Sequence, residues 1–206
     1  SVSSSGAGGK KELKVRDDVF FMDRLTTNAT GIGEFMFDDG TKLALGPSAS
    51  LVVDRFVQKN ETTFQKLGVK AAKGTFRWVS GKSPSSAYQI KTPMGTMGVR
   101  GTAFDVSTRG GRTHVVLLNG KATFCAGAKC AVLSRTGDYI SSDGSTVSPT
   151  VQIGTAFKNR REAARVFPFL ANPSLLSAKF RVRGSYLFRT AFGGPKFDQG
   201  RNGDGA

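Results

Sequence analysis

Four groups of residues in this chain have types and spacings from which chemistry could be built. They are the glycines Gly95, Gly98 and Gly101, the single histidine His114, the acidic pairs Asp17-Asp18 and Asp38-Asp39, and the cysteines Cys125 and Cys130. Glycines cradle phosphates when they follow G-x-G-x-x-G or G-x-x-x-x-G-K-[ST]; these three follow neither, so a nucleotide loop is not supported. His114 lies in the strand-like run Thr113-His114-Val115-Val116-Leu117-Leu118 and reads as a satisfied structural residue rather than a general base. Without a second histidine or a G-x-S-x-G elbow, nucleophilic hydrolysis lacks its parts. The acidic pairs fall at a strand start and at a turn, where carboxylates are ordinary. The expectation is a non-enzyme with no catalytic residue, no metal and no cofactor.

Cys125 and Cys130 flank the short loop Ala126-Gly127-Ala128-Lys129, with apolar residues outside them. A loop of that length sets its flanking positions opposite each other on antiparallel strands, at the Cβ separation a disulfide needs. Two free buried thiols are the alternative. A zinc site is short of ligands, because the chain offers no third cysteine and one histidine. A disulfide would place the protein in an oxidising compartment.

The elements that must hold these residues are strands. Short apolar/polar alternations separated by turn residues run from Leu13 to about Ile140, as in Gly33-Glu34-Phe35-Met36-Phe37 before Asp38-Asp39-Gly40. Further strands are expected at residues 50–57, 74–80, 87–91, 102–108, 114–118, 131–134 and 139–141. Beyond Val151 the spacing of Phe157, Ala164 and Phe167 predicts a short amphipathic helix ended by Pro168. A helical turn is expected at residues 173–178. A two-residue period then resumes over residues 180–189, with Phe180, Val182, Tyr186 and Phe188 on one face. The division that follows is a disordered lead-in at 1–12, a β domain at 13–150, a helix-and-strand extension at 151–192 and a disordered tail at 193–206. The fold class is all-β, a sandwich or roll of many short antiparallel strands.

Charge narrows the partners. Among 206 residues, 30 Lys and Arg against 15 Asp and Glu give a net +15, which favours anionic surfaces. Arg160, Arg161, Arg165, Lys179, Arg181 and Arg183 form a candidate basic interaction patch on the extension. Aromatics interleave with bases in Phe76-Arg77-Trp78 and Phe180-Arg181-Val182-Arg183, as on a stacking platform. The same spacing arises when one strand face enters the core and the other is solvated, and no nucleic-acid motif accompanies it. No apolar run reaches the ~18 residues that span a bilayer. The chain starts at Ser1, and the expectation is a processed or trimmed form whose signal peptide has been removed.

The ordered motifs Asp39-Gly40-Thr41-Lys42-Leu43-Ala44-Leu45, Thr92-Pro93-Met94-Gly95 through Val99-Arg100-Gly101-Thr102-Ala103-Phe104-Asp105-Val106, and Val115-Val116-Leu117-Leu118-Asn119-Gly120-Lys121-Ala122 resemble the signature of the FecR-like periplasmic domain. The resemblance runs roughly from Val15 to Ile140, and Ala122 stands where a β-branched residue is commoner. It implies an all-β module that binds proteins, as FecR-like domains of sigma-factor regulators take a signal from an outer-membrane transporter and pass it inward. Gly40, Gly95, Gly98, Gly101, Thr102, Phe104 and Gly120 are then fold-determining, glycine for turns and Phe104 for the core. The regulators carry a membrane span and a second small domain that this sequence does not show. The expectation is therefore a periplasmic or secreted accessory or scaffold subunit holding a protein partner of an envelope or outer-membrane complex. The alternative is a structural protein binding an anionic polymer such as lipopolysaccharide or an acidic glycan, or nucleic acid.

Overall fold

Residues that alternate apolar with polar can bury one face of a pleated ribbon, and this chain does so along most of its length. The computed structural model describes residues 1–6, 9–182 and 187–192, apart from the side chains at 55, 56, 58, 189 and 190. Its strands are β1 (Val2–Gly6), β2 (Gly9–Glu12), β3 (Arg24–Thr27), β4 (Gly33–Met36), β5 (Lys42–Leu45), β6 (Ser50–Asn60), β7 (Thr63–Val79), β8 (Tyr88–Thr92), β9 (Gly95–Arg109), β10 (Arg112–Ala126), β11 (Lys129–Leu133), β12 (Asp138–Ser142) and β13 (Val151–Gln152). Short helices follow: α1 (Ile153–Ala156), α2 (Arg160–Val166), α3 (Pro168–Ala171) and α4 (Leu187–Ala191), with 3-10 turns at Pro173–Leu175 and Ala178–Phe180. The all-β reading with a short C-terminal helix holds.

The central strands are longer than expected because each serves two sets of neighbours. β7 lies between β6 and β8 over its first half, and between β5 and β9 over its second. The change comes at Gly74, whose φ of 97° and approach to Ala49 leave no room for a side chain. β9 pairs with β8 over residues 95–98 and with β7 over residues 103–108. β10 follows β9 on its other edge, out of a tip formed by Gly110 and Gly111 with φ 57° and 70°. Against the antiparallel expectation, β7 and β8 run parallel, joined by a connection containing a 3-10 turn at Ser85–Ala87.

The sheet thus bends into a roll across the β9–β10 hairpin. Its inner side encloses the main core, including Leu43, Leu45, Val69, Phe76, Trp78, Ile90, Met97, Phe104, Val106, Val115, Leu117, Phe124 and Ile140. On the outer side of the upper half, the helices lay Ile153, Phe157, Ala163, Phe167, Leu170 and Phe188 against Ala103, Val116, Leu118 and Tyr139. The unbroken apolar run Val115–Leu118 follows from this, since β10 is covered on both faces there.

Three expectations need correction. Residues 1–12, read as a disordered lead-in, instead supply β1 and β2, with β1 pairing β3. What holds them is the backbone ladder plus contacts such as Ser3 Oγ to Thr26 Oγ1 at 2.7 Å, neither of which a Ser/Gly composition announces. Phe157, expected on the helix, lies outside it in extended backbone, while α2 stops ahead of Pro168 as expected and that proline opens a further helix. It occupies the first turn of α3, where its missing N–H costs nothing, and Phe167 joins the two helices. Of the expected strand at residues 180–189, Phe180 closes a 3-10 turn and residues 187–191 form α4, so Phe180 and Phe188 are buried from turns rather than from a strand face. Residues 183–186, with Arg183 and Tyr186, and the expected tail at 193–206 lie outside the described residues.

Candidate functional site

Gly40 turns the β4–β5 hairpin at φ 80°. Beside it Asp39, 1 % exposed, accepts the Tyr88 hydroxyl at 2.6 Å and the Thr41 backbone N–H at 2.8 Å. Burial pushes this carboxyl up, but the hydrogen bonds from Tyr88, Ser83 and Thr41 outweigh it and hold the acid below its ordinary value. Burial pushes the Tyr88 phenol up, and the Asp39 carboxylate adds to it. This buried network locks the Asp39-Gly40-Thr41 turn to Tyr88, whose ring meets Trp78 edge-on at 5.7 Å.

Gly101, Thr102 and Gly120 mark the bend. The β9–β10 register shifts on either side of Asn119. At Gly120, φ is 81° and an added Cβ would fall on the Gly101 carbonyl oxygen, so only glycine fits. The Thr102 hydroxyl donates to the Lys121 carbonyl at 2.7 Å and accepts the Arg100 N–H at 2.8 Å, bridging the irregularity. Gly95 closes the two-residue β8–β9 turn, with Phe124 and the Cys125 carbonyl too near for a side chain. Phe104 is fully buried in the main core. Gly98 is the exception among the seven motif residues. It lies in unbroken ladder register opposite Thr123, without a positive φ, and nothing stands within 4 Å of where a Cβ would be.

Two polar pairs under the cap went unread in the sequence. The sequence pattern puts Arg77 on a solvated strand face, yet it is fully buried, clasping Asp105 on the next strand through Nε–Oδ1 at 2.6 Å and Nη2–Oδ2 at 2.7 Å. Phe169 of α3 covers its guanidinium at 5.6 Å. Burial pushes the Asp105 carboxyl up while Arg77 pulls it down. The available signal was a matched pair of apolar-charged-apolar triplets of opposite sign, Phe76-Arg77-Trp78 and Phe104-Asp105-Val106. His114 Nδ1 lies 2.7 Å from the Tyr139 hydroxyl, beneath the ring cluster of Tyr139, Phe157 and Phe167. Burial and the charges of Arg112 and Arg109 lower the imidazole pKa to about 4, so it is neutral at neutral pH.

Among the described residues every buried side-chain nitrogen and oxygen has a hydrogen-bond partner, and no three His, Cys, Asp or Glu gather as metal ligands. Cys125 and Cys130 form the expected disulfide at directly paired positions of β10 and β11. Of the basic residues on the extension, Arg160, Arg161 and Arg165 are exposed on α2, and Lys179 and Arg181 are exposed at the 3-10 turn of residues 178–180. Arg160 reaches the Ala171 carbonyl at 3.4 Å and Arg181 the Leu176 carbonyl at 2.8 Å, so both also brace the cap.

The apolar surface lies elsewhere, in the segment between β2 and β3. Phe20, Phe21 and Met22 are 66, 55 and 57 % exposed. Their backbone is fixed all the same: the Asp23 carboxylate accepts the Phe20 N–H at 3.0 Å, and the Met22 N–H donates to the Val53 carbonyl at 2.9 Å. The preceding residues Leu13 to Asp17 line an open groove of about 460 Å³ with Val2, Ile32, Phe35 and Leu175. Among the described residues β4 pairs with β5 alone, which leaves one of its edges open beside that groove. Such features suit contact with another macromolecule rather than conversion of a small one.

Residues 23–123 match the family model described as FecR protein. Two crystal structures of a candidate anti-sigma factor from Parabacteroides distasonis ATCC 8503 are similar at 15 % identity, each over 58 % of this chain, with TM-scores of 0.46 and 0.45. The chain corresponds to 55 % of their length, little more than half. No curated protein matches it.

Proposed function

Residues 23–123 are a FecR domain, and on that premise we propose that this chain is a non-enzymatic protein-binding module of the periplasm or envelope, a signalling accessory or scaffold subunit. The observation that carries the reading is the Phe20-Phe21-Met22 turn. Three consecutive large apolar side chains stand in solvent on a backbone tied down at both ends. A pre-ordered apolar knob of this kind loses little conformational entropy on docking and gives an interface its anchors. The open edge of β4 beside the groove offers a place for main-chain pairing. The Cys125–Cys130 disulfide supports an oxidising address.

The test is affinity recovery from an envelope extract with the intact chain and with a Phe20→Ser/Phe21→Ser variant, each washed at low and then high salt. A defined protein retained by the intact chain at high salt and absent from the variant is the expected result, with unchanged circular dichroism. If nothing survives high salt, or the variant retains the same protein, the apolar docking reading is wrong.

A further inference from the structure

The described helices cap only the upper half of the roll, and among the described residues the outer face of the lower half is left open. Because side chains alternate across a strand, the register fixes what that face carries. One row across it runs Lys70, Lys91, Thr96, Cys125 and Cys130, on β7 through β11. The next runs Gly68, Gln89, Gly98, Thr123 and Val132, and the third pairs Arg100 with Lys121. A low row of Gly68, Gln89, Gly98 and Thr123, ended by the exposed Val132 and about 19 Å across five strands, is thus flanked by cations on two sides, the flanking rows standing about 13 Å apart. Lys70, Gly98, Arg100, Lys121 and Thr123 are all exposed. At the β7 end, Lys66, Gly68, Ser86 and Gln89 line a pocket of about 100 Å³.

Two features of this face work against the stability of the fold. Like charges directly opposite each other on paired strands repel, and here Arg100 faces Lys121 while Lys70 stands beside Lys91. Asp54 answers only Lys91, at 3.0 Å, and among the described residues no carboxylate pairs with Lys70, Arg100 or Lys121. Gly98 weakens a strand interior that needs neither its backbone freedom nor its small size. A glycine left there keeps the floor low, as where a ligand approaches the backbone. The face has cations and hydrogen-bonding floor groups but no aromatic anchors, which suits a hydrated anionic chain better than a folded protein.

We propose that this open face of β7–β11 binds a linear acidic polysaccharide, its carboxylates meeting Lys70, Lys91, Arg100 and Lys121 and its sugars lying over Gly98 and Thr123. The site is separate from the apolar turn and does not depend on a protein partner. Polygalacturonate oligomers titrated into the purified full chain test it. Affinity is expected to fall roughly tenfold or more between about 50 and about 200 mM salt, as release of counterions from a few ion pairs requires. Arg100→Ser/Lys121→Ser should cost about tenfold, and Arg160→Ser/Arg161→Ser on the cap less than about twofold. Gly98→Val separates binding from folding: a β-branched residue in an open strand position should raise the melting temperature yet weaken binding. Equal losses in both double variants, unweakened binding in Gly98→Val, or tighter binding of duplex DNA or phosphatidylglycerol vesicles at the same face would overturn the proposal.

Discussion

The chemistry at single positions is mostly spent on holding the roll together. Asp105 and Arg77 are both fully buried, so removing one takes from the other the ion partner it was desolvated with. Asp105→Ala is expected to cost about 3–5 kcal/mol in denaturant unfolding, whereas replacing both by Met and Leu should be near neutral or stabilising. A double variant as unstable as the single would show that the pair itself specifies the fold. His114 gives a pH signature. The native imidazole stays neutral down to about 4, whereas the unfolded side chain takes up its proton near 6.5. Between those values the unfolded state binds more protons, so stability is full above pH 6.5 and declines as pH falls toward 4. His114→Gln should flatten that slope in melting temperature against pH; an unchanged slope would place the titration elsewhere. The histidine was legible in the sequence as a structural residue, because an apolar strand surrounds it. Asp105 was not, since its meaning depends on which strand lies beside β9.

At the scale of elements, the C-terminal helices are part of the core they cover. Val116, Leu118 and Tyr139 are buried only because Ile153, Phe157, Phe167 and Phe188 lie over them. Burying a large apolar side chain contributes about 1.5–3 kcal/mol, and several lost at once rival the ~5–15 kcal/mol of a whole domain. A chain ended at Gln152 should therefore lose its cooperative thermal transition and bind a hydrophobic dye. A sharp melt within a few degrees of the full chain would show the helices to be an appendage. Strand periodicity made most of the sheet readable, because burial of one face writes itself into alternation. It missed β1 and β2, where backbone pairing carries the structure. It misread Phe180 and Phe188, which reach the core from a 3-10 turn and from α4.

For the molecule as a whole, family motifs and turn residues made the all-β class legible, since Gly40, Gly95, Gly101 and Gly120 sit where the backbone or its neighbours demand them. The bend, the parallel β7–β8 pair and the division into a capped and an open face were not, because each depends on contacts between distant segments. The hairpin at the centre has a further consequence, for the order of events when the chain first folds. β9 and β10 meet across Gly110 and Gly111, so their ladder closes a two-residue loop at small entropic cost, as the β6–β7 and β8–β9 ladders also do. β7, β8, β11 and β12 all pair with that hairpin. A chain delivered amino terminus first would offer β7 and β8, the edge of the mutually paired strands β1 to β8, before β9 arrived, and the helix that covers Arg77 would come later still. The early strands are a template in waiting, and the central hairpin is the event that commits them.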